Sequence, residues 1–66
     1  MLNDKDIQIA LKHFKGKRLV DIIQTDNGND FIFEGELVIR VYNDGYDNYD
    51  TELTRRVPTY TYERLQ

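Results

Sequence analysis

The chain predicts an α+β fold, with one N-terminal helix packed on a small antiparallel sheet of three to five strands in meander order. Three observations carry this expectation. Apolar residues recur at helical spacing only ahead of Gly16, β-rich runs follow from Lys17 onward, and clusters of Asn, Asp and Gly separate those runs. No repeat and no linker interrupts residues 1–66, which read as a single domain.

The helix is expected over residues 4–14, because Ile7, Ala10, Leu11 and Phe14 fall at i, i+3, i+4 and i+7 and line one face. Asn3 or Asp4 can cap its first amides. Asp4 and Asp6 suit the positive end of the helix dipole, while Lys12, His13 and Lys15 suit the negative end. Gly16 supplies the stop. A first strand covers Arg18 to Thr25, and Asp26-Asn27-Gly28-Asn29-Asp30 reads as a hairpin turn whose strongest signal is Asn-Gly. Phe31-Ile32-Phe33 is the second strand and Glu34-Gly35-Glu36 a tight turn. In the strand from Leu37 to Tyr42, Leu37, Ile39 and Val41 share one face, and Val38, Arg40 and Tyr42 the other. Thr51 to Val57 forms a fourth strand with Leu53, Arg55 and Val57 on one side. Pro58 breaks it or marks an edge, and Thr59-Tyr60-Thr61-Tyr62 alternates as a short fifth strand or a docking tail.

Composition bounds the function. Sixty-six residues bury roughly 60% of their unfolded surface, so there is little room for a deep cleft, and oligomerisation is one way to gain buried area. Neither serine nor cysteine occurs, which removes the familiar Ser/His/Asp and Cys/His nucleophiles and any thiolate metal site. The lone His13 lies beside Lys12 at a helix end, away from the carboxylates, and reads as a solvated or capping residue. The oxygen-rich loops Asp26 to Asp30 and Asp44 to Asp50 do not match EF-hand spacing, so turn chemistry accounts for them. The expectation is a protein that is not an enzyme and takes no cofactor or metal. Met1-Leu2-Asn3-Asp4 lacks the basic region and apolar run of a signal peptide, and no apolar stretch is long enough to span a bilayer. A cytoplasmic protein without a membrane partner is expected.

Charge is distributed unevenly. From Asp21 to Glu52 the chain carries nine carboxylates against the single cation Arg40, a net charge of −8, while the segments on either side are net positive. The whole chain has a net charge of −3 and a pI near 4.9, which disfavours direct nucleic-acid binding. The densest acidic part is Tyr42 to Glu52. Tyrosines suit interface anchors, and acids interleaved with them suit a partner bearing Arg or Lys. Carboxylates two apart on a strand, such as Asp50 and Glu52, lie roughly 6.6 Å apart. That is comparable with the spacing of phosphates along a nucleic-acid strand.

The segment Leu37-Val38-Ile39-Arg40-Val41-Tyr42-Asn43-Asp44-Gly45 resembles the strand and acidic loop of a small phage anti-CRISPR protein that inhibits type II-A RNA-guided DNA nucleases. The resemblance implies a loop that occupies a positively charged, DNA-reading surface, with Asp44 and Gly45 at matching positions and Asp47 as a looser counterpart. Tyr46 stands where that family has a polar residue, and Thr51 to Gln66 replaces its acidic helices.

The function expected from the sequence is therefore that of a small acidic interaction protein of phage or mobile-element type. It would inhibit or modulate a host protein by binding a basic surface, of the kind that holds nucleic acid, as a DNA mimic with an anti-defence role. The expected contact residues are Tyr42, Asp44, Gly45, Tyr46, Asp47, Tyr49, Asp50 and Glu52. Two alternatives are a homo-oligomeric module, down to a homodimer, and a weak nucleic-acid binder using Lys12 to Arg18 with Tyr60 and Tyr62.

Overall fold

The computed structural model describes residues 2–46, 48–57 and 61–66. Helix α1 (Asp4–Phe14) precedes strands β1 (Leu19–Gln24), β2 (Gly28–Phe33), β3 (Leu37–Asn43), β4 (Tyr49–Arg56) and β5 (Tyr62–Arg64). The five strands form one antiparallel sheet in the order of the chain. The expected meander is therefore present, with five strands. Pro58, Thr59 and Tyr60, on which the expected strand break and the start of the last strand rest, lie outside the described residues, as does Asp47.

Asn3 caps α1 through a reciprocal pair of bonds. Its Oδ1 accepts from the Asp6 amide at 2.9 Å, and its own amide donates to Asp6 Oδ2 at 3.3 Å. At the other end Gly16 adopts φ 78, and the Lys17 amide returns to the Phe14 carbonyl at 3.0 Å. The helix is anchored by Phe14, whose ring meets Phe33 edge to face at 5.4 Å. Phe14, Leu37 and Leu53 form the core cluster, joined by Ile9, Ala10, Phe33, Ile39 and Leu65. The expected apolar face is thereby corrected. Ile9 and Ala10 pack inward beside Phe14, while Ile7 and Leu11 stay exposed. The helix is turned toward Ile9 because the fully buried Leu53 and the half-buried Leu65 lie on that side.

The turn after β1 is shorter than the sequence suggests. The Thr25 amide donates to the Gly28 carbonyl at 2.9 Å, closing the chain over Asp26 and Asn27. Gly28, Asn29 and Asp30 already belong to β2, facing Tyr42, Val41 and Arg40 of β3. Neither Asn27 nor Gly28 has a positive φ. The glycine is required for a different reason: a Cβ there would collide with the Val41 carbonyl and come within 2.7 Å of Tyr42 Cα. In the β2–β3 turn the expected tight geometry is present, with Gly35 at φ 79 and Glu36 at φ 65.

The sheet has a second packed strip on the side away from the helix. Ile32, Val38 and Thr54 are buried in one cross-strand row, and Thr54 Oγ1 donates to the Val38 carbonyl at 3.0 Å. Among the described residues no helix is long and apolar enough to cross a membrane.

Gly28→Ala should destabilise the fold by about 1–3 kcal/mol, since the added methyl meets backbone that cannot move without separating β2 from β3. A urea unfolding midpoint unchanged from wild type would show that the two strands are not held this closely.

Candidate functional site

Strand alternation sorts the residues around the acidic hairpin onto two faces. On the face opposite the helix, β2, β3 and β4 place Asp30, Arg40 and Glu52 in one cross-strand row. Tyr42 and Asp50 pair in the next row. Arg40 Nε donates to Asp30 Oδ1 at 3.2 Å, and its guanidinium carbon lies 4.5 Å from the centre of the Tyr62 ring. The Asp30 side chain is only 9% exposed, against 34% for Arg40. This deep carboxylate is thus paired with a partly hydrated cation. Thr25, Asn27, Asp30, Arg40, Tyr42 and Glu52 line an open pocket of about 170 Å³.

Tyr42 has a displaced proton equilibrium. Partial desolvation, then the negative charges of Asp50 and Glu52, push its hydroxyl above the ordinary value of 10.0, and a hydrogen bond to Glu52 adds to this. Arg64 opposes the shift. The neutral hydroxyl is thus held as a donor to the Glu52 carboxylate.

The loop between β3 and β4 is organised by its own side chains. Asn43 Oδ1 accepts from the Gly45 amide at 2.7 Å and Asp44 Oδ1 from the Tyr46 amide at 2.9 Å, while the Asp44 amide donates to the Asn48 carbonyl at 2.9 Å. Gly45 takes φ 96. This turn projects Tyr46, which is 83% exposed. Tyr49, 64% exposed, opens β4 opposite Asn43 and points to the helix side of the sheet.

The expected contact residues are therefore divided among three places. Tyr42, Asp50 and Glu52 share the pocket face, Asp44, Gly45 and Tyr46 form the loop tip, and Tyr49 lies on the opposite face. Asp47 lies outside the described residues. Asp50 also accepts the Thr51 amide at 2.8 Å, so one oxygen each of Asp44 and Asp50 already has a backbone task. Asp30 and Arg40 escaped the sequence reading, the first because it was counted as turn. The signal for both was present in Arg40, the lone cation among nine carboxylates and on a strand face shared with Tyr42.

At the basic end, Lys12, Lys15 and Lys17 are exposed, and the Arg18 amide donates to Glu34 Oε1 at 2.9 Å. Tyr62, expected as a base-stacking residue in the nucleic-acid alternative, has Arg40 over its ring. Among the described residues no three His, Asp or Glu side chains converge as metal ligands. Comparison with protein-family models, with curated proteins and with solved structures returns no match.

Two outcomes test this geometry. Because the Tyr42 pKa is raised, any stability it contributes is fully present below pH 10 and is lost as pH rises through its folded-state value. In a spectroscopic titration, Tyr42 should ionise after a free tyrosine would, and Glu52→Gln should lower its pKa. A Glu52→Gln titration curve superimposable on wild type would exclude the Glu52 contact. Asp30→Ala should cost on the order of 2–3 kcal/mol, less than a fully buried pair because Arg40 retains access to water. Chemical denaturation measures it, and a loss within error of zero would remove the pair from the fold's supports.

Proposed function

We propose that the protein is a non-enzymatic binding module that presents its acidic hairpin end to a basic protein surface, of the kind that otherwise holds nucleic acid. The observation that carries this is the pairing of exposed aromatic surface with carboxylates that form no ion pair among the described residues, at one end of the β3–β4 hairpin. Tyr46 stands out from the loop tip, Asp44 lies beside it in sequence, and Asp50 and Glu52 lie along one face below. Each carboxylate that accepts a backbone amide keeps its charge and a second oxygen for a partner's Arg or Lys. A mimic of nucleic acid needs carboxylates held at fixed spacing, and the alternation of β4 supports such spacing for Asp50 and Glu52. The sequence resemblance to a phage inhibitor of RNA-guided nucleases agrees in kind, since that family also uses a strand and acidic loop against a DNA-reading surface.

The test is affinity capture from a host lysate at low and high salt, repeated with Asp44→Asn/Glu52→Gln. Capture should weaken steeply with salt, the double variant should slow association with the captured protein on the order of tenfold, and duplex DNA should compete. A captured partner that binds the double variant at the wild-type rate, or holds at high salt, would sink this reading.

A further inference from the structure

The exposed large aliphatic side chains among the described residues lie on two elements, α1 and β1. They are Ile7 and Leu11 on α1 and Leu19, Val20, Ile22 and Ile23 on β1, each between 43% and 59% exposed. β1 is also an edge strand, pairing with β2 alone. An exposed apolar edge of this kind is a template for another strand unless something blocks it.

The hydrogen bonds show what blocks it. The Thr25 amide bonds inward to Gly28, so residues alternating with it along β1, Ile23 and Asp21, also face β2, while the backbone groups of Ile22 and Gln24 face outward. The outward Ile22 amide donates to Asp21 Oδ1 at 2.8 Å, a bond made within the strand itself. The register slips between Leu19 and Asp21, a bulge that leaves Val20 unpaired against β2. The same device recurs on β4 where β5 does not cover it: the Thr51 amide donates to Asp50 Oδ1 at 2.8 Å, and the next outward amide, Leu53, donates to Gln66 Oε1 at 2.9 Å. Side chains thus take an outward amide on β1 and two on β4.

We infer that β1 is a latent strand-addition edge for a second copy of this chain, and that the Asp21 carboxylate closes it by occupying the Ile22 amide. The occupant is a second copy because the edge is complementary to itself. Lys17 and Arg18 precede β1 and Asp26 follows it, so antiparallel pairing of two β1 strands sets basic start against acidic end at both ends of the joint. Parallel pairing would set like charge against like. Around a two-fold axis at Ile22, the two Ile22 residues pair directly and Ile23 of each copy faces Asp21 of the other. This surface is separate from the acidic hairpin end and does not depend on its role.

Sedimentation of the full chain over a concentration series tests the inference. Wild type should remain monomeric where Asp21→Ala and Asp21→Val form dimers, with an association constant raised by about thirtyfold, the worth of two released hydrogen bonds, one on each copy. Valine keeps strand propensity should alanine weaken the fold. Asp21→Asn removes the charge but keeps an oxygen for the Ile22 amide, and should stay monomeric. Adding Ile22→Pro to Asp21→Val removes only an outward donor and should restore the monomer. The inference is overturned if wild type is already dimeric, if both Asp21→Ala and Asp21→Val remain monomeric, if Asp21→Asn dimerises as they do, or if the dimer survives Ile22→Pro.

Discussion

Arg40 is the residue on which the pocket face depends. It sits at the middle of the central strand, bonded to Asp30 on β2, in register with Glu52 on β4 and stacked on Tyr62 of β5. One side chain therefore touches or faces three of the four other strands. Without its charge, Asp30 would be a buried carboxylate with no ionic partner beneath a face that already carries Glu52 and Asp50. The planar guanidinium suits this position because it can accept an aromatic ring against its face while donating in its plane to a carboxylate. Lysine would offer the charge without that division of faces.

A second constraint concerns backbone groups that the sheet leaves unpaired. A five-stranded open sheet has two edges, and the last strand here covers only Thr54 to Arg56 of its neighbour. The rest of β4 is an edge as well, and the outward amides of Thr51 and Leu53 are taken by Asp50 and by Gln66. Part of the acidity of this chain thus answers a hydrogen-bonding need before it answers any partner. The same holds in the turns, where Asn43, Asp44 and Glu34 accept amides from the loop or from the segment entering β1. Carboxylates placed by backbone bonds are also carboxylates whose positions are fixed, which lowers the entropy lost when a partner's cation meets them.

The order of elements was legible in the sequence because each depends on local pattern: period, capping residues and turn residues suffice for α1 and for the ends of β1 and β3. What escaped was set by tertiary contact. The helix face could not be fixed among Ile7, Ile9 and Leu11, since the choice depends on where Leu53 and Leu65 arrive from the far end of the chain. Asp30 looked like turn because Asn-Gly-Asn-Asp has turn composition, yet pairing with β3 draws those residues into the ladder. Gly28 illustrates the same limit. Its presence was legible, but the reason for it, the approach of Val41 and Tyr42, is a property of the neighbouring strand.

The division of the acidic tyrosine segment bears on how such a hairpin could engage a partner. A flat basic surface laid against the pocket face would meet Asp50, Glu52 and the rim of Tyr42, but not Tyr49, which points to the other side of the sheet. A cleft that admits the whole hairpin end would meet both faces together, with Tyr46 leading. The second geometry uses more of the exposed aromatic surface, while Asp50 and Glu52 stay together on the pocket face. The two-sided distribution of Tyr42, Tyr46 and Tyr49 therefore favours insertion into a basic cleft over apposition to a basic plane, because only insertion removes all three rings from water while leaving the carboxylates facing cations.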